Sequence, residues 1–119
     1  MKFHALYVSV ADVDGLYFQV SFDTQAPDTD FDLSMPLQPY LLIQRQFEDD
    51  DGGVCYIETH EPDAYAGHFR VNLVELTATR LLFEIGRPAD RTVEVTFALH
   101  PRRFRKVERI LRTIFGAKP

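Results

Sequence analysis

At 119 residues the chain has room for one domain, residues 1–119, because two separate cores would leave each half too small to be stable without staples. A hydrophobic fraction of 45%, with 10 Phe and 5 Tyr, is enough for a core and excludes a mainly disordered chain. The net charge of −5 hides an asymmetry: residues 1–99 carry 17 acids against 6 Lys and Arg, net −11, while residues 100–119 carry 7 bases against Glu108 alone, net +6.

No run approaches the roughly 20 apolar residues that cross a bilayer, so no membrane span is expected. The opening residues MKFHALYVSVADVDG form a poor signal peptide, because their short apolar stretch is broken by Ser9 and acids. A single cysteine, Cys55, has no internal disulfide partner. These features together predict a cytoplasmic protein.

Taken in chain order, residues 3–10 alternate, with Phe3, Ala5, Tyr7 and Ser9 opposite His4, Leu6, Val8 and Val10, and residues 16–22 alternate again after Asp14-Gly15. That pair favours a turn, so a hairpin is predicted. Residues 23–39 carry Pro27, Pro36 and Pro39 with little periodicity and read as a long acidic connection holding Asp28, Asp30 and Asp32, with a short extended piece at 31–35. A second hairpin follows. Residues 40–47 and 54–59 flank an acidic turn ending in Gly52-Gly53, and apolar residues on both faces of the first run suit an interior strand.

Beyond the turn at Glu61-Pro62, residues 68–76 alternate as Phe69, Val71, Leu73 and Glu75 against Arg70, Asn72, Val74 and Leu76. Leu81, Phe83 and Ile85 share a face, and Val93, Val95, Phe97 and Leu99 alternate cleanly with polar neighbours. Short links between these runs favour an antiparallel meander. The period changes after Pro101: Phe104, Val107, Leu111 and Ile114, widened by Ile110 and Phe115, form the apolar stripe of a helix over 101–115, with Gly116 at its stop. The fold class is therefore α+β, a mostly antiparallel meandering β-sheet of about six to eight strands across 3–99 with one C-terminal amphipathic helix laid on one of its faces.

Catalytic machinery is sparse in this pattern. Cys55, Glu58, His60, Glu61, Asp63 and His68 lie close in sequence, but Cys-x4-His without a second Cys pair matches no structural zinc spacing, and no metal is expected. Asp49, Asp50 and Asp51 lack the alternate acids and later Glu of a calcium loop. There is no GxSxG elbow and no glycine-rich phosphate loop, and Cys55 between Val54 and Tyr56 reads as a buried, inert thiol. No catalytic residue and no cofactor follow from these residues. The bases of the last segment could track phosphates, with His100, Arg103 and Lys106 on one flank. The acidic body opposes nucleic acid, the helix's apolar stripe is committed to the core, and bases late in a helix suit its dipole.

Tyr40, Leu41, Leu42, Gln44, Arg45, Asp49 to Asp51, Tyr56 and Glu58, followed by the strand RTVEVTFAL and the closing FRKVERILRTIFG, resemble the immunity protein 10 family of bacterial polymorphic-toxin systems over about two-thirds of the chain. The resemblance implies a non-enzymatic protein that binds and neutralises a cognate protein toxin. Opposed fields speed such encounters, so the expected contact surface is Glu48, Asp49, Asp50, Asp51, Tyr56, Glu58 and Glu61. Two other classes fit the pattern: a small enzyme or ligand-binding domain using a concave sheet face with Glu58, His68, Arg70 and Glu75, and a scaffold that forms a homodimer through an uncovered sheet face or edge.

Overall fold

The computed structural model describes residues 1–13, 17–25, 38–46, 54–61, 66–87 and 91–116. Its elements are β1 (Lys2–His4), β2 (Tyr7–Val13), β3 (Tyr17–Asp23), β4 (Tyr40–Gln46), β5 (Val54–Thr59), β6 (Ala66–Thr77), β7 (Arg80–Ile85), β8 (Thr92–Thr96) and α1 (Pro101–Ile114). The eight strands form one sheet in the order β1-β8-β7-β6-β5-β4-β3-β2. Every neighbouring pair is antiparallel except β1 against β8. The α+β meander read from the sequence is the fold of the chain.

The first and last strands of that order, β1 and β2, are consecutive in the chain. Ala5 donates its N–H to Thr96 O at 2.8 Å, and the next residue, Leu6, donates to Asp23 O at 2.9 Å. Thr96 ends β8 and Asp23 ends β3, so the N–H groups of two successive residues bond to strands beside opposite margins of the sheet, and one continuous segment bridges those margins. The single alternating strand expected over 3–10 is thus two strands. Phe3 and Ala5 point inward, Leu6 and Tyr7 both face solvent at 65% and 42% exposure, and Val8 and Val10 point inward again. The step out of register at Leu6-Tyr7 lets one segment serve two partners, and it moves Tyr7 off the face predicted for it.

Inside lie Val20 and Phe22 of β3, Leu41 and Ile43 of β4, Cys55 and Ile57 of β5, Leu81 and Phe83 of β7, and Val93 and Val95 of β8, in one continuous core. α1 packs chiefly on β3, with β2 and β4 at its margins, and buries Val107, Ile110, Leu111 and Ile114. Both helix ends are secured. His100 Nδ1 accepts from Arg102 N at 3.2 Å with Pro101 in the first turn, and Gly116 takes a positive φ of 70° where an L side chain would be strained. Arg45 of β4 donates to Thr113 O at 2.8 Å, placing a cation on the helix C-terminus. Arg103 donates to Val8 O at 3.0 Å and so satisfies a carbonyl on the outer edge of β2.

β6 departs from the alternation expected of it. Its register against β7 shifts between Leu73 and Glu75, so Val74 is an extra residue, a β-bulge. Beyond it the faces exchange: Leu76 packs on the core, Val74 is 51% exposed, and Glu75 turns outward to meet Arg80 at 2.9 Å.

Candidate functional site

The outer surface of β3, β4, β5 and β6 carries ordered rows of side chains. Register places Gln19, Gln44, Tyr56 and His68 in one row, and Ser21, Leu42, Glu58 and Ala66 in the next. Tyr56 and Glu58 lie two residues apart on β5 and so share this face. Tyr56 OH donates to Glu58 Oε1 at 2.8 Å, and Tyr40 OH of β4 donates to Glu58 Oε2 at 3.0 Å. The Tyr56 and His68 rings meet edge to face at 5.4 Å between centroids, and Gln44 donates to Gln19 at 3.0 Å.

This arrangement holds a carboxylate with a phenol on each oxygen. Burial, then the hydrogen bond and charge of Glu58, push the Tyr40 hydroxyl up to about 12, and the Glu58 hydrogen bond also raises Tyr56. Phenols so shifted stay protonated as donors at neutral pH, and a carboxylate with both oxygens engaged is committed to position. No described Lys or Arg pairs with Glu58. The result is a half-exposed aromatic ledge around a fixed negative charge.

The expected contact residues are only partly brought together. Tyr56 and Glu58 are in direct contact. Glu61 is exposed beyond the end of β5, its N–H bonded to Thr59 Oγ1 at 3.1 Å, and it makes no bond to the ledge. Glu48, Asp49, Asp50 and Asp51, like Asp28, Asp30 and Asp32, lie outside the described residues. Val54, where β5 begins, and Glu61, beyond its end, stand about 20 Å apart along the extended strand. Tyr40 and His68 join the ledge through the register of β4 and β6 against β5; the expected contact surface omitted both, although His68 was grouped with Glu58 in the alternative concave-face reading.

The residues that invited a metal reading are divided by the strand. Cys55 points into the core while Glu58 and His68 point out, and His60 stacks near Phe3 and Tyr40 and accepts from Tyr40 N at 3.2 Å. Among the described residues no three His, Cys, Asp or Glu side chains converge, and Asp63 lies outside them. Cys55 is 2% exposed and burial pushes its thiol up to about 12, as its apolar neighbours predict. Elsewhere on the outer face Glu75, Arg80, Glu94 and Lys2 form a chain of ion pairs at 2.9, 3.0 and 3.4 Å, and the Arg80 guanidinium holds the Glu94 carboxyl below its usual range.

On α1 the flank of His100, Arg103 and Lys106 is largely structural, since His100 caps the helix and Arg103 holds β2. Arg112 stands in the last turn, where a base suits the helix dipole, while Arg102 and Arg103 stand in the first turn with Arg105 just beyond and are opposed by it. No described helix is long and apolar enough to cross a membrane.

Fold and ledge define the chain as an α+β domain, one eight-stranded, mostly antiparallel meandering sheet with a C-terminal helix, whose outer face carries the Tyr40, Tyr56, Glu58 and His68 cluster. No protein-family model matches it, and neither a curated protein nor a solved structure is detectably similar.

Proposed function

We propose that the chain is a non-enzymatic protein-binding domain that neutralises a protein toxin, and that the ledge of Tyr40, Tyr56, Glu58 and His68 forms the centre of its contact surface. The observation that carries this reading is Glu58, an outward carboxylate fixed by two tyrosines and left without a cation. Tyrosine bodies supply large contact area at low entropy cost, and a pre-positioned anion in their midst selects a partner that brings Arg or Lys. The acidic residues Glu48, Asp49, Asp50 and Asp51 lie on the segment joining β4 to β5, and a body of net −11 over residues 1–99 steers a basic partner toward the same surface. A toxin whose cleft binds nucleic acid has that basic character.

The test is co-purification with the product of the adjacent reading frame, followed by titration calorimetry at two salt concentrations. Glu58→Lys and Tyr56→Ala are expected to weaken the complex at least tenfold, in line with about 1.4 kcal/mol or more per hot-spot residue. Reversal of Asp49, Asp50 and Asp51 is expected to slow association and flatten its salt dependence. Wild-type affinity in Glu58→Lys removes the ledge from the interface.

A further inference from the structure

Beyond the ledge, the outer face of β6 and β7 carries a concavity. Asn72 pairs with Glu84 in register, Gly86 donates its N–H to Arg70 O at 2.7 Å, and Ile85 donates to Arg91 O at 2.8 Å. These backbone bonds bring Arg70 and Arg91 to the flanks of Gly86. A Cβ on Gly86 would lie 3.3 Å from Arg70 O and 3.4 Å from Arg70 Cβ, so the close approach of the two strands calls for glycine there. Beside Gly86 lies an open groove of about 330 Å³ walled by Arg70, Asn72, Glu84 and Arg91.

The charges around this groove are unspent. Among the described residues, Arg70, Arg91, Glu84 and Asn72 make no ion pair and no side-chain hydrogen bond. On the same outer surface Glu75, Arg80, Glu94 and Lys2 pair off completely, so opposite charges on this sheet do not stay apart by default. Here two guanidiniums and one carboxylate are held around a space instead of being joined across it.

We propose that this groove binds a small carboxylic acid that also carries a hydroxyl or ammonium group. Arg70 and Arg91 take the carboxylate through the forked geometry that guanidinium and carboxylate share, while Glu84 and Asn72 accept the ligand's donor. The site's net charge of +1 favours an anion, and its volume sits at the lower end of ligand pockets, which limits the ligand to a small molecule. Phosphate is the poorer fit. The Gly86 N–H is already used by Arg70 O, and no helix N-terminus lines the groove, so the backbone donors that cradle phosphates are not offered. The groove adjoins the ledge, since Arg70 follows His68 by two residues on the outer face of β6, but none of its lining residues belongs to the ledge.

Titration calorimetry of the intact chain with L-malate, succinate and inorganic phosphate tests it. L-malate is expected to bind more tightly than succinate, which has the same two carboxylates and no hydroxyl, and more tightly than phosphate. Arg70→Gln and Arg91→Gln are each expected to weaken malate about tenfold, and Glu84→Gln to erase the preference for malate over succinate. Both arginines are exposed and unpartnered, so circular dichroism and melting of these variants are expected to match the parent. Malate binding weaker than about 10 mM, equal binding of malate and succinate, preference for phosphate, or affinity unchanged in both arginine variants overturns the proposal.

Discussion

Cys55 and Tyr40 are the two side chains whose surroundings most change their chemistry. The Cys55 thiol is raised from 9.0 to about 12 by burial, so between these values the folded chain keeps a proton that the unfolded chain releases. Its contribution to stability is complete below pH 9 and falls as the pH rises through that window. Urea midpoints measured from pH 8 to 10.5 are expected to decline above pH 9, and Cys55→Ala to flatten that decline. A disulfide reagent at pH 8 is expected to label Cys55 only on unfolding; rapid labelling of the native chain would contradict the burial. Tyr40 has the same sign with its onset near pH 10, and Tyr40→Phe also removes a donor from Glu58 Oε2. That variant is expected to lose about 1 kcal/mol at pH 7 in chemical denaturation, the net worth of one charged hydrogen bond at a half-buried site. At this scale the sequence was legible where one strand sufficed: Val54 and Tyr56 flank Cys55, and parity alone puts Tyr56 with Glu58. The Tyr40 bond to Glu58 crosses strands and was invisible.

At the scale of elements, α1 is held by its core face and opposed by its own first turn. The side chains of Arg102 and Arg105 are exposed, make no bond among the described residues, and stand in or just beyond the first turn, where the dipole favours anions. Arg102→Glu is therefore expected to raise stability by about 0.3–1 kcal/mol at low salt, with the gain shrinking as salt is added; thermal melts at two ionic strengths read this directly. The opposite end is served from outside the helix. Arg45→Ala is expected to cost about 1–2 kcal/mol, because Thr113 O loses a charged donor and the C-terminus loses its cation. The spacing of Phe104, Val107, Leu111 and Ile114 made the helix readable, along with Pro101 at its start and Gly116 at its stop. Arg45 was read as part of a strand motif, since nothing local links it to a carbonyl 68 residues away. The bulge at Val74 was equally hidden: β6 alternates in sequence, and only its pairing with β7 shows that one residue is extra.

For the whole molecule the decisive contacts are the successive N–H groups of Ala5 and Leu6, which bond to the ends of β8 and β3 respectively. Leu6→Pro removes the N–H that Asp23 O accepts and is expected to destabilise by about 1–3 kcal/mol, whereas Leu6→Ala, at an exposed side chain, is expected to stay within about 0.5 kcal/mol. Equal effects of the two would show that the bond from Leu6 N–H to Asp23 O carries no weight; hydrogen exchange at Leu6 provides the same test without mutation. The amino-acid order by itself determined which segments are strands, where the helix lies and that charge divides between body and tail, because period, turn residues and composition are properties of neighbours along the chain. Only the tertiary structure decided that one N-terminal segment splits into strands at opposite margins of the sheet, that Tyr40 and His68 join Tyr56 and Glu58, and that Arg70 and Arg91 flank a groove beside Gly86. Each of those depends on register between strands distant in sequence, and register is set by how whole faces pack together.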